Sequence, residues 1–138
     1  MRYYRLIDHT ADFGLHIFGS DAGDLFTNAA AALFDIITDP EGIKSEEVRS
    51  ISVSGEDWPD LMVNWLRELL FLWNVKERLI KAVQISKISE KKLAAELKCD
   101  RFDPDRHVIK TEIKAVTYHQ IQVIRRPDRW ETRVIFDV

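Results

Sequence analysis

Residues able to do chemistry crowd near the start of the chain, in Asp8-His9-Thr10-Ala11-Asp12. Two carboxylates and an imidazole so close together can ligate a metal ion or exchange protons. Tyr3-Tyr4-Arg5-Leu6-Ile7 precedes them, and Phe13-Gly14-Leu15-His16-Ile17-Phe18 follows. The alternation of Phe13, Leu15 and Ile17 predicts a strand. The polar residues therefore occupy a strand-to-strand junction, and nothing in the local pattern requires them for folding alone.

A second acidic group closes the sequence, with Asp137 beside the carboxylate of Val138. The sequence stops within a strand pattern, so its end is expected to be held in a sheet. If that sheet carries the last strand to the first junction, Asp12, Asp137 and the Val138 carboxylate form an all-oxygen cluster. Such a cluster suits a hard divalent ion, Ca²⁺, Mg²⁺ or Mn²⁺, better than zinc. Without an ion, the like charges would repel and raise at least one carboxyl pKa. Solvated surface carboxylates are the alternative, because most of the chain separates Asp12 from Asp137.

The histidines offer a different chemistry. His9 and His119 could join Asp12 as zinc ligands or as an acid/base pair in a small metal-dependent phosphoester hydrolase. Their spacing matches no common zinc signature, and His119 is expected on an apolar strand face as a hydrogen-bonded structural residue. His16 and His107 read as ordinary surface or loop residues. Lys114 is a cation in a strand otherwise rich in uncharged residues; it can meet a carboxylate, a phosphate or a partner protein, or be simply solvated. A glycine-rich phosphate loop and a Gly-x-Ser-x-Gly elbow are both missing, which removes two familiar mechanisms.

The elements that must position these groups follow from periodicity. After Gly19-Ser20-Asp21, Leu25, Phe26, Ala29, Ala30, Leu33 and Ile37 recur at helical spacing, with Ser20 or Asp21 as cap and Asp39-Pro40 as terminator. Val48 to Ser54 reads as a strand with Ile51 and Val53 on one face. Asp57 and Asp60, with Pro59 in the first turn, open a second helix running to about Val75. Its Trp65 and Trp73 are expected in the core. Leu79–Ile88 and Leu93–Cys99 form a hairpin about Ser89–Lys92. A long alternating strand is predicted from about Lys110 to Ile124, with Ile113, Ala115, Thr117, His119, Ile121 and Val123 on one face. Pro127-Asp128 then turns the chain into a last strand, Trp130 to Val138. About seven strands and two helices in this order predict an α/β two-layer sandwich, two helices on one face of a mostly antiparallel or mixed sheet. No internal repeat stands out.

Composition bounds the rest. The 138 residues fit a single domain spanning 1–138, long enough to bury roughly 70% of the unfolded surface. A net charge of -3 argues against gripping nucleic acid unaided, so RNA contact is expected only through a partner. The lone Cys99 is expected as a buried strand cysteine in a reducing cytoplasm. No stretch approaches the ~18 apolar residues of a membrane span, so no membrane role is expected.

Together, the Asp8–Asp12 motif before an apolar strand, the helix near Asp21, Glu112-Ile113-Lys114-Ala115-Val116-Thr117-Tyr118-His119 and the closing Trp130–Val138 strand resemble the archease family. The Asp103-Pro104-Asp105-Arg106-His107 loop suits it too. Phe13 stands where a smaller aliphatic residue is more usual, a matter of local packing. The resemblance covers essentially the whole chain. It implies a non-enzymatic activator of the GTP-dependent RNA ligase that joins 2′,3′-cyclic phosphate or 3′-phosphate ends to 5′-hydroxyl ends in tRNA splicing and RNA repair. It further implies promotion of ligase histidine guanylylation and multiple turnover. On this resemblance Asp12, Asp137 and the Val138 carboxylate are the metal ligands, for Ca²⁺ or else Mg²⁺ or Mn²⁺. Lys114 belongs to the partner-activation patch, and Asp8 and His9 are supporting residues.

Overall fold

Alternation and capping produce eight strands and two α-helices among the residues described by the computed structural model, which are 3–8, with Asp8 in its backbone only, and 13–138. The strands are β1 (Tyr4–Asp8), β2 (Phe13–Gly19), β3 (Glu47–Ser54), β4 (Arg78–Ile88), β5 (Lys92–Arg101), β6 (Ala115–Val116), β7 (Gln122–Arg125) and β8 (Trp130–Asp137). The helices are α1 (Ala22–Ile37) and α2 (Trp58–Asn74).

The helix starts are built alike. In α1 the Asp21 side chain accepts from the Asp24 amide while the Ser20 amide donates to Asp24. In α2 Asp57 accepts from the Asp60 amide and the Glu56 amide donates to Asp60. Each reciprocal pair satisfies amides that the first helical turn leaves open. Gly19 and Gly55 precede these caps, and a Cβ there would lie 2.4 and 2.6 Å from the Leu25 and Leu61 nitrogens. Asn28 and Asn64 then reach back to the carbonyls of Phe18 and Ser54. The pattern Gly-x-Asp-x-x-Asp-Leu-x-x-Asn therefore occurs twice, as Gly19–Asn28 and Gly55–Asn64. This corrects the expectation of no repeat: sparse identities at a strand-to-helix turn carry it, and the intervening residues hide it.

Every strand pairing among the described residues is antiparallel. The two-layer α/β arrangement holds, with the strands divided into two sheets. One has the order β1-β2-β8, with β6 and β7 both on the far edge of β8; the other has the order β3-β5-β4. Leu15, Ile17, Val134 and Phe136 of the first sheet and Val53, Leu93 and Leu97 of the second meet the helices in one core. Trp65, fully buried, donates its indole N–H to the Phe26 carbonyl at 2.9 Å and ties α2 to α1. Burying such large apolar side chains is the main source of stabilisation. Cys99 is buried and free, as expected.

The predicted strand from Lys110 to Ile124 is not continuous. It is realised as β6 and β7, with a turn between in which Gln120 has φ 54°. Thr117 turns its hydroxyl onto the Ile135 carbonyl, and His119 is exposed in that turn, not on an apolar face. The residue types kept a strand-like alternation, but a left-handed residue ends the ladder. No helix among the described residues is long and apolar enough to cross a membrane.

Candidate functional site

The register of the first sheet decides which of the candidate residues meet. Asp8 pairs with Phe13, and Phe13 pairs with Phe136, so the last ladder step of β8 lies at the β1–β2 junction. Asp137 is the next residue along. On its other flank it pairs with Ala115, and the Lys114 amide donates to the Asp137 carbonyl at 2.7 Å. Three separated stretches of sequence thus converge at one end of one sheet. The β8 backbone there is held from both sides, which fixes where its side chains project.

Asp137 and Val138 are both exposed. Among the described residues, the Asp137 carboxylate has no hydrogen-bond or ion-pair partner, and neither has the Lys114 ammonium. His9 and Asp12 lie outside the described residues, as does the Asp8 side chain. Among the described residues no three His, Cys, Asp or Glu groups are gathered to hold a metal. Asp137 is an unengaged oxygen donor beside the junction, so its chemistry fits a hard cation if further oxygens join it.

Lys114 also borders a cavity of about 510 Å³ walled by Trp73, Asn74, Glu77, Phe102 and Glu112. Asn74 anchors this wall by donating to the Ile113 carbonyl at 3.0 Å. Trp73 meets Phe102 edge-to-face at 5.2 Å and is only partly buried. Trp65 is the core residue that the helical spacing predicted; Trp73 lies at the rim, because α2 ends one residue later.

The expectation that His16 and His107 are ordinary surface or loop residues is overturned, since both are buried. His107 holds the loop leading towards Lys114. Its Nδ1 accepts from the Asp103 amide at 2.9 Å, and its Nε2 lies 3.1 Å from Asp100 Oδ2 and 3.0 Å from the Gly42 carbonyl. A ring nitrogen that accepts an amide leaves the proton on the other, so Nε2–H is the donor. Asp100 is fully buried and also receives Arg106 and the Lys44 amide. Burial raises its pKa, but Arg106, Lys44 and His107 outweigh this and hold it at about 2.

His16 is surrounded differently. Its Nδ1 lies 3.3 Å from Arg5, and its Nε2 is 3.6 Å from Glu131, with no hydrogen-bond partner among the described residues. Arg126 and Arg129 each pair with a Glu131 oxygen at 3.2 Å. Burial, reinforced by Arg133 and Arg5 against the pull of Glu131, lowers the His16 pKa. Burial raises that of Glu131, but Arg126, His16 and Arg129 together bring it below its ordinary value. Sequence reading missed this arginine cluster, although its density in Arg125-Arg126-Pro127-Asp128-Arg129-Trp130-Glu131-Thr132-Arg133 was a signal.

Comparison with known proteins follows the same outline. The model of the Archease protein family matches residues 4–138. A protein archease of Methanosarcina barkeri is 33% identical over 99% of this chain and 97% of its own length. The solution structure of Methanobacterium thermoautotrophicum protein 1598 superposes with a TM-score of 0.82 at 29% identity, covering 100% of both chains. The crystal structure of a Thermotoga maritima archease, termed a possible chaperone, gives a TM-score of 0.66 at 25% identity, covering 100% of this chain and 98% of that one.

Proposed function

The chain belongs to the archease protein family, and we propose that it is a non-enzymatic activator of a GTP-dependent RNA ligase in tRNA splicing and RNA repair. In this reading it promotes guanylylation of the ligase histidine and lets the ligase turn over repeatedly. The carrying observation is the convergence of Asp137, the Lys114 amide and the β1–β2 junction at one sheet end. A site assembled from three separated stretches on a rigid ladder can present charge to a partner in fixed geometry.

Asp12, Asp137 and the Val138 carboxylate would hold a divalent ion, Ca²⁺ or else Mg²⁺ or Mn²⁺. When bound, such an ion supplies concentrated positive charge for phosphate oxygens. The chain's own residues do the positioning. Asp137 offers an exposed carboxylate from a backbone gripped on both flanks, and Lys114, whose amide bonds the Asp137 carbonyl, offers a cation at the rim of the neighbouring cavity. Asp8 and His9 would orient the junction as supporting groups. The net charge of -3 suits contact with a basic, RNA-binding enzyme. A cytoplasmic location agrees with the lone free cysteine.

The test is guanylylation of the cognate ligase with GTP and Mn²⁺. Asp12→Ala and Asp137→Ala should each lower the stimulated rate by about tenfold or more while the variants stay folded. Wild-type acceleration by either variant would sink the proposal, as would phosphoester hydrolysis by the isolated protein, which would favour a hydrolase using His9, Asp12 and His119. A C-terminal extension should impair activation; full activity with a tag attached would remove Val138 from the ligand set.

A further inference from the structure

Strand β8 carries Glu131, Arg133, Ile135 and Asp137 on the sheet face opposite the one where Val134 and Phe136 join the core. At one end of this face, Arg5, Arg126, Arg129 and Arg133 surround Glu131 and the buried His16. Glu131 takes Arg126 and Arg129 on its two oxygens. Among the described residues, Arg5 and Arg133 have no carboxylate partner. Nδ1 of His16 faces a guanidinium, which only donates, so the neutral ring carries its proton on Nε2, which faces Glu131 Oε1 at 3.6 Å, an oxygen already paired with Arg126. Donors outnumber acceptors on this face of a chain that is acidic as a whole. An oxyanion would supply the partner that Arg5 and Arg133 lack among the described residues.

Beside Arg133 lies a cleft of about 310 Å³ lined by Ile7, Gln120, Ile121, Gln122, Arg133 and Ile135. It opens where the edge of β8 passes from β6 to β7. Apolar walls with two amides and a guanidinium match a nucleotide, with the ring against isoleucine, amides for its polar edge and the fork for phosphate. Along β8, Glu131 to Asp137 spans roughly 20 Å at ~3.3 Å per residue. Arg133, the cleft and the acidic tip are therefore in line along β8, with Arg5, Arg126 and Arg129 grouped at its Glu131 end.

We propose that this face binds the single-stranded end of an RNA, one nucleotide seated in the cleft and the flanking phosphates on Arg133, Arg5, Arg126 and Arg129. Arginine forks pair with phosphate bidentately, which a lysine patch would not do. The choice of RNA among polyanions rests on the ligase-activator reading above. The inference departs from the expectation that RNA is met only through the ligase: net charge conceals a positive face when the negative groups lie elsewhere. An RNA lying along β8 would have its terminus directed at Asp137.

The experiment measures anisotropy of a labelled oligouridylate of about ten nucleotides, bearing a 3′-phosphate, with the full chain. Binding should weaken steeply between about 50 and about 200 mM salt. Arg126→Glu with Arg133→Glu should raise Kd by about tenfold or more. Arg133→Ala, a milder change at an exposed position, should lower the salt slope by about 0.7. Lys91→Glu, in the hairpin of the other sheet, should leave Kd unchanged. Guanylylation of the ligase without RNA should be unaffected by the arginine changes. Absence of wild-type binding while guanylylation is still accelerated would overturn this inference alone and leave the activator reading standing. Equal competition by polyglutamate would also overturn it, in favour of an acidic protein partner.

Discussion

His107 and His16 are both buried imidazoles beside a carboxylate and an arginine, yet their surroundings differ in one respect. Both nitrogens of His107 are satisfied, by the Asp103 amide and by Asp100 with Gly42. At His16 one nitrogen meets Arg5 and the other, 3.6 Å from Glu131, has no partner within hydrogen-bonding distance among the described residues. Satisfied buried polar networks fix a structure, whereas partly satisfied ones leave interaction capacity unused. The first closes a loop on the path to Lys114. The second underlies an arginine face with donors to spare.

The largest test of this contrast is Asp100→Ala. It would leave Arg106 and His107 without their buried anion and the Lys44 amide without an acceptor. About 3–5 kcal/mol of stability should be lost in equilibrium denaturation. A loss below 1 kcal/mol would mean that the cluster is no staple.

The next test uses acid. Asp100 titrates at about 2 in the fold against an ordinary 3.8, so the unfolded chain binds the proton first. Its contribution is fully present above the ordinary value and is lost as pH falls through 3.8 towards 2. The loss is about 2 kcal/mol. It should appear as the difference between the wild type and Asp100→Asn over that range. Parallel curves would remove the assignment.

The smallest effect concerns His16. Its folded pKa lies below the ordinary 6.5, so folding favours the neutral ring and stability falls as pH drops below that value. His16→Gln should flatten the thermal-stability profile between about pH 7 and 5 while changing stability by less than about 1 kcal/mol at pH 8. His107→Gln should cost more at every pH, because it breaks a satisfied network. If the two substitutions behave alike, the contrast between the histidines fails.

What the sequence by itself determined was whatever depends on neighbours a few positions away. The caps at Asp21 and Asp57, the hairpin about Ser89–Lys92 and the alternation of Trp130–Asp137 are all local, and all appear where expected. Family membership was also legible, because separated motifs in order need no coordinates. Long-range pairing decided the rest. Asp137 meets Lys114 only because β8 runs between β2 and β6. His16 is buried only because its strand lies between β1 and β8, which bring Arg5 and Glu131 to it. The break near Gln120 depends on one left-handed residue that alternation does not reveal. Period-two patterning says that a residue has a face, but register says what that face meets. The candidate site is assembled by register.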